Sequence, residues 1–360
     1  MKKSIWISLA AGIVLSVLGF YFAFRNVPAA SLIKSMAGID YKWLAAGACV
    51  GFFSFVVRAL RWQAILGASK NLSFGAVYHP TVIAFMINTI LPGRVGELVR
   101  PAILKKKNQV PFTLGLTTVI AERMLDMITL IALFAWVMAV VHIDPGLEIS
   151  FQGRELDREV LERITQKISM LCVVLTIVLS VFSVPAAQRC LKAALLSAPG
   201  FFFGKRQRLA EKIYLKISIP LGLMIDHAGS GLILVRRPVR LVLCLIYSFI
   251  IWLMQAAAIY LATFAFPAVG LDFFQAMAVF LIICFFIILP SVPGFWGIWE
   301  AGSVFGLALF GVKKDIAAGF SLVSHAMLLF PILIAGMVSL VISGVKISAA
   351  AYTDSETQQG

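Results

Sequence analysis

Charge is what this chain has least of. Asp, Glu, Lys and Arg make up 13% of its 360 residues, against roughly 25% in soluble domains. Residues counted as hydrophobic reach 61%, more apolar surface than a water-soluble core absorbs, so a soluble globular enzyme is excluded. Histidine occurs four times, and the five cysteines (Cys49, Cys172, Cys190, Cys244 and Cys284) form no CxxC pair and no His/Cys cluster. That spacing implies neither a metal site nor a disulfide framework, and no cofactor is expected. Acidic residues are also scarce: 17 against 31 Lys and Arg, a formal charge of +14. On a soluble protein this excess would suggest nucleic acid. On a chain this apolar it reports cytoplasmic loops facing anionic lipid, and no nucleic-acid partner is expected.

What is abundant is hydrophobic run. Stretches near or above the roughly 20 residues that cross hydrocarbon recur at 5–24, 43–57, 113–141, 168–184, 241–266, 272–289, 298–312 and 316–345. The first, behind Met1-Lys2-Lys3, exceeds a signal-peptide core and predicts an uncleaved helix. Ten Lys/Arg in 185–240 place that stretch in the cytoplasm as a basic connector with amphipathic pieces, and the six acids of 142–167 place that loop outside. Lys105, Lys106 and Lys107 follow the apolar run 75–91 closely, and they stay inside only if that run turns back. A re-entrant hairpin is therefore expected there. Both termini fall in the cytoplasm of a cell inner membrane, with 347–360 a disordered tail.

The chain also repeats itself. Leu91-Pro92-Gly93-Arg94-Val95-Gly96-Glu97 resembles the later segment from Leu289 to Glu300, in which Pro290, Pro293, Gly294 and Gly297 interrupt an apolar run before a glutamate opens the next helix. Glu97 precedes Glu122 by 25 residues and Glu300 precedes His325 by the same interval. Proline removes a donor and glycine lets backbone approach closely, and such breaks persist at membrane depth only where they line a cavity or are buried in protein. The expected fold is all-α: one polytopic transmembrane domain over 1–346, with about six full spans and two re-entrant broken-helix hairpins, about eight membrane segments. Repeat 1 covers about 43–141 and repeat 2 about 241–345, inverted so that the hairpins enter from opposite sides.

Glu122, Arg123 and Asp126 interrupt an otherwise apolar helix, where each costs about 2.5 to 3.5 kcal/mol unless it finds a partner. Glu122 and Asp126 share a face, and Arg123 is available to Glu97. Glutamates in the first turn of the second half-helices suit the helix dipole, and Arg94 and Arg100 beside exposed N–H groups suit a phosphate. Asn88 is placed to satisfy backbone freed by the break, and His325 to pair with Glu300. Arg58 and Arg61, with Trp62 beside them, read as interfacial anchors. A structural ion-pair network is the competing reading of the buried charges.

The segments NTILPGRVGELVR at 88–100, Ala121-Glu122-Arg123 with Asp126, and LPSVPGFWGIWE at 289–300 resemble the transmembrane region of the lysylphosphatidylglycerol synthase family, also described as a flippase-like domain. The resemblance extends over about 5–345. It implies movement of lipids between leaflets. Two-domain relatives carry a separate soluble domain for lysine transfer; the longest hydrophilic stretch here is the 185–240 connector, so that transfer is not expected. His325 stands where many relatives carry arginine. The substrate-contact set expected is Arg94, Glu97, Arg100, Glu122, Arg123, Asp126, Glu300 and His325. The chain is expected to be a non-enzymatic transporter of an anionic phospholipid, glycolipid or polyprenyl-phosphate-linked lipid. A separate lipid-modifying enzyme is a candidate partner. The alternatives are a membrane-embedded lipid-phosphate-dependent transferase and a non-transporting scaffold for an envelope-lipid enzyme.

Overall fold

The computed structural model describes residues 2–91, 94–141, 149–151, 154–156, 190, 192–199, 211, 214–218 and 237–345. The breaks at Pro92 and Gly93, the run at 168–184, most of the 185–240 connector and the 347–360 tail lie outside the described residues. The first half consists of α1 (Lys2–Phe24), α2 (Ala29–Met36), α3 (Tyr41–Leu66), α4 (Phe74–Ile90), α5 (Gly96–Asn108) and α6 (Phe112–Val140). Two three-residue strands, β1 (Ile149–Phe151) and β2 (Arg154–Leu156), form an antiparallel hairpin. The second half holds α7 (Pro238–Ala265), α8 (Phe273–Ile287), a 3₁₀ turn at Pro293–Phe295, α9 (Ile298–Ala308) and α10 (Lys314–Ser343). The fold is all-α, as its runs of apolar residues demand: a span without water must bond its backbone internally.

Among the described residues, α3, α6, α7 and α10 are long and apolar enough to cross a membrane, and α1 with α2, bent by 80°, makes a fifth candidate. The arms α4 and α8, at 17 and 15 residues, reach about 25 Å and 22 Å at 1.5 Å per residue, short of the roughly 30 Å hydrocarbon core. Their partners α5 and α9 are shorter still. In each half a long helix is followed by two short arms and a second long helix, and consecutive members pack together. Across the halves α3 lies on α7, α4 on α10 and α6 on α8.

The contacts fix where each hairpin enters. At one end of the bundle Lys70 Nζ donates to Asn108 O at 2.6 Å, His79 meets Ser339 at 3.2 Å, and Lys107 reaches the Ser343 carbonyl. The α4–α5 hairpin thus starts and finishes where α10 finishes. At the other end Asp40 N–H donates to Ala265 O at 3.4 Å, Lys314 Nζ to Arg25 O at 2.9 Å, and Tyr260 packs edge-on against Phe273. There the α8–α9 hairpin starts and finishes. Inside the bundle the two hairpins touch: the 293–295 turn packs on α4, and Arg94 Nη2 donates to Ile287 O at 3.4 Å.

Close approach of backbones replaces hydrophobic driving force between these helices. A Cβ on Gly47 would lie 2.9 Å from Ala258 O, and one on Gly336 would collide with Met86 Cβ, so glycine sets the spacing of α3 on α7 and of α10 on α4. The first helix has a structural task that hydropathy does not announce: Ser16 Oγ accepts the Val292 N–H at 3.0 Å, and a Cβ on Gly297 would collide with Ser16 O. It holds the second break in place.

Candidate functional site

The described residues on either side of the first break behave as their types predict. Leu91 leaves the helix in extended backbone, Arg94 takes a left-handed φ of 54°, and α5 begins at Gly96. Asn88 Oδ1 accepts the Gly96 N–H at 2.8 Å, satisfying one of the donors that a helix start leaves open. Only glycine fits at 96, because a Cβ would run into the Ala84 carbonyl. Glu97 follows in the first turn, and one turn later Arg100 points inward, buried.

Three arginines are locked into carboxylates around α6. Arg61 Nη1 donates to Asp126 Oδ1 at 2.6 Å and to Ser248 Oγ at 2.7 Å, while its Nε lies 3.5 Å from Glu122 Oε1. Arg100 pairs with Glu122 Oε2 and lies over the Trp62 ring at 4.5 Å. Arg123 joins Asp126 at 3.1 Å and Glu97 at 3.7 Å. Trp252 Nε1 adds a second donor to Asp126 Oδ1 at 3.1 Å. The Glu97 and Arg123 side chains keep 26% and 31% exposure, whereas Arg61 has none, so the cluster runs from an open rim at α5 into a closed floor on α3.

The interfacial role expected for Arg58, Arg61 and Trp62 is corrected. Arg61 and Trp62 are fully buried and Arg58 is 5% exposed. Trp62 Nε1 donates to Thr118 Oγ1 at 2.9 Å. The helix continues through them to Leu66 because Asp126 and Glu122 supply the charge that makes burial of an arginine tolerable. Arg94, by contrast, is exposed, and its one hydrogen bond among the described residues goes to the Ile287 carbonyl of the second hairpin.

In the second hairpin Pro290, Ser291 and Val292 are irregular, and Gly294 and Gly297 adopt φ of 75° and 84°. Glu300 Oε2 accepts the Gly297 N–H at 2.6 Å, and its Oε1 meets His325 Nδ1 at 2.7 Å. The imidazole lies between Trp296 and Trp299, with ring centroids 4.4 and 4.7 Å away. The residue pairs 25 apart therefore do equivalent work: each ties the second arm of a hairpin to the long helix after it. Glu300 and His325 do so directly, while two like-charged glutamates require Arg100 and Arg123 between them. Glu300 and His325 share no ion pair or hydrogen bond with the arginine cluster among the described residues. Sequence reasoning missed Ser248, Trp252 and Gln255 on α7, a polar stripe at helical spacing within an otherwise apolar run.

Among known proteins, the chain is similar to the UPF0104 membrane protein PH1989 of Pyrococcus horikoshii, with 26% identity over 352 residues, 94% of this chain and 97% of that protein. It is also similar to the Glycosyltransferase AglD of Haloferax volcanii, 25% identical over 147 residues, which is 39% of this chain and 23% of that protein. The Lysylphosphatidylglycerol synthase TM region matches from residue 9 to 336, through both hairpins and the helices that carry the buried charges, and the chain belongs to that family.

Proposed function

We propose that this protein moves a lipid with an anionic headgroup between the leaflets of a cell inner membrane, both termini lying in the cytoplasm. One observation carries the reading: Arg58, Arg61, Arg100 and Arg123 against Glu97, Glu122 and Asp126, four cations to three anions, are gathered beside the meeting point of two broken hairpins. A buried excess of one positive charge is costly, and an anionic group entering from the Glu97–Arg123 rim relieves it. Hairpins that enter from opposite ends and meet inside the bundle suit an inverted repeat that opens to each leaflet in turn. The headgroup would exchange places with carboxylates on the arginines while acyl chains stay in lipid. Membrane lipids are then its partners, and a separate lipid-modifying enzyme would supply them.

The likeness of part of the chain to a protein named as a glycosyltransferase supports a second reading, a membrane-embedded transferase using a lipid-phosphate donor. A scaffold for an envelope-lipid enzyme is the third. Reconstitution into proteoliposomes with labelled anionic lipids separates them. Transport predicts leaflet exchange faster than in empty vesicles for one lipid class, abolished in folded Glu97→Gln and Arg123→Ala variants. Unchanged exchange in both variants removes the proposed site. Product formed from the labelled donor points to the transferase, and folded protein with neither activity to the scaffold.

A further inference from the structure

Arginine keeps its charge at any physiological pH, so the cations of the cluster on α3, α5 and α6 can neither load nor release a proton. The second hairpin is built from other chemistry. Glu300 is fully buried and His325 is 3% exposed, and imidazole is the side chain whose ordinary change of charge falls between about pH 5 and 8. His325 lies about 5 Å from the middle of α10, at 1.5 Å per residue, towards the end from which the α8–α9 hairpin enters. An ionisable pair at that depth is costly, and such pairs as a rule serve function.

The surroundings suit a proton that comes and goes. Trp296 and Trp299 place their ring centroids 4.4 and 4.7 Å from the imidazole, the second nearly parallel to it at 14°. Indole faces at that range attract a cation, and Glu300 Oε1 at 2.7 Å supplies the opposite charge, so imidazolium is accommodated there. Trp299 Nε1 and Ser303 Oγ, four residues apart on one face of α9, are buried without a partner among the described residues. Two such groups suit a bridging water, a route for a proton to the ring. Among the described residues Glu300 is the one ionisable group bonded to His325. On the elements packed against α10, Tyr21, Lys34 and Lys42 are exposed, His79 meets Ser339, Tyr260 packs on Phe264 and Phe273, and Arg240 borders Gly67 beyond the end of α3. Lys2 and Lys3 open α1 about 24 Å or more from Gly19, which packs on Gly297, and Lys314 and Asp315 open α10 itself about 15 Å or more away. Arg58 and Arg61 lie about 16 and 21 Å along α3 from Gly47, which packs on Met327.

We propose that Glu300 and His325 bind a proton that crosses with each anionic headgroup. The proposal rests on the anionic-lipid reading and adds the coupling of that transport. Charge balance carries it. With His325 neutral, Arg58, Arg61, Arg100 and Arg123 stand against Glu97, Glu122, Asp126 and Glu300, four cations to four anions. An anionic headgroup entering alone leaves one negative charge in excess, which a low-dielectric interior penalises. A proton added to a ring nitrogen of His325 cancels it, and the same N–H bond breaks when the proton leaves on the other side. While loaded, the pair is imidazolium and carboxylate, a charge-assisted bond that tightens the tie between α9 and α10.

Two measurements on the purified full chain test this. In neutral detergent, tryptophan fluorescence followed from about pH 8 to about pH 5 should fall in a single one-proton step, because imidazolium quenches an adjacent indole, and His325→Gln should lack that step. In phosphatidylcholine proteoliposomes the probes are tail-labelled phosphatidylglycerol and phosphatidylserine, each with one net negative charge. For whichever exchanges, a pH difference of one unit should shift the leaflet ratio by up to about tenfold relative to empty vesicles, as one proton per lipid requires. A potassium diffusion potential should not shift it, since proton and headgroup sum to zero charge. Glu300→Gln removes one anion, so the headgroup alone restores balance: this variant should lose the response to pH difference and gain one to the potential. Should it not fold, His325→Gln should lose the pH response likewise. A fluorescence step retained in His325→Gln overturns the proposal. So does a leaflet ratio that ignores the pH difference, or follows the potential, while the unmodified protein still exchanges lipid; both leave the anionic-lipid reading intact. No exchange above that of empty vesicles overturns both.

Discussion

Replacing Asp126 with asparagine tests the central claim about the cluster, because the substitution keeps shape and removes only charge. Asp126 accepts from Arg61 at 2.6 Å and from Trp252 at 3.1 Å and pairs with Arg123 at 3.1 Å. The asparagine amide still accepts from the indole, but two arginines lose their shared anion and the local excess of positive charge doubles. Breaking a buried pair by removing one partner costs about 3 to 5 kcal/mol. Arg61→Met should cost a similar amount, since it takes the 2.6 Å ion pair from Asp126, leaving it Arg123 and Trp252, and the Arg61 donor from Ser248 Oγ. The double variant Arg61→Met/Asp126→Asn removes both charges together, and its cost should fall short of the summed single costs by about 2 to 3 kcal/mol. Unfolding in mixed dodecyl maltoside and dodecyl sulfate micelles, followed by tryptophan fluorescence, measures all three. Single variants within about 0.5 kcal/mol of the parent, or strictly additive costs, would refute the view that these charges hold α3, α6 and α7 together.

Much of this site was legible because its logic is local. A Pro-Gly break needs a donor satisfied nearby, and Asn88 supplies the oxygen for Gly96. A glutamate 25 residues before another polar group, on either side of a hairpin arm, predicts a tie between that arm and the next helix, and both ties are present. What failed was the reading of Arg58, Arg61 and Trp62. Hydropathy treats a charge at the end of an apolar run as the membrane surface, and that inference is sound only while the charge has no partner. Here the partner, Asp126, is 65 residues further along the chain. Nothing on α3 announces it. The α7 stripe of Ser248, Trp252 and Gln255 was hidden for a related reason: in a helix that is apolar all round, three uncharged polar residues do not lower mean hydropathy enough to register. The clamp that α1 places on the second break is equally silent, since it depends on one hydroxyl, Ser16, and on two glycines, Gly297 against Ser16 O and Gly19, whose Cβ would collide with Gly297 O.

Three further outcomes follow from contacts rather than charges. Gly96→Ala should abolish folded yield in fluorescence-detected size exclusion, its Cβ driven into the Ala84 carbonyl, whereas Gly75→Ala, with nothing within 4 Å, should be neutral or slightly stabilising. Gln255→Leu removes a buried acceptor that nothing among the described residues satisfies, so without ligand it should melt at or above the temperature of the parent; a clear fall would show that the amide is structural. At the second hairpin, Glu300→Gln and Glu300→Ala should part company. Glu300 holds the Gly297 N–H at 2.6 Å and the His325 imidazole at 2.7 Å, and glycine at 297 has φ 84° with the backbone of Ser16 against it. Glutamine can still serve both neighbours: its oxygen accepts from Gly297, and its NH₂ donates to Nδ1 once the ring carries its proton on Nε2. That exchange should cost about 1 kcal/mol, while alanine strands a buried N–H and an imidazole nitrogen at about 1 to 3 kcal/mol each. Equal losses in the same unfolding assay would mean that the negative charge of Glu300, rather than its two hydrogen bonds, holds this corner of the fold.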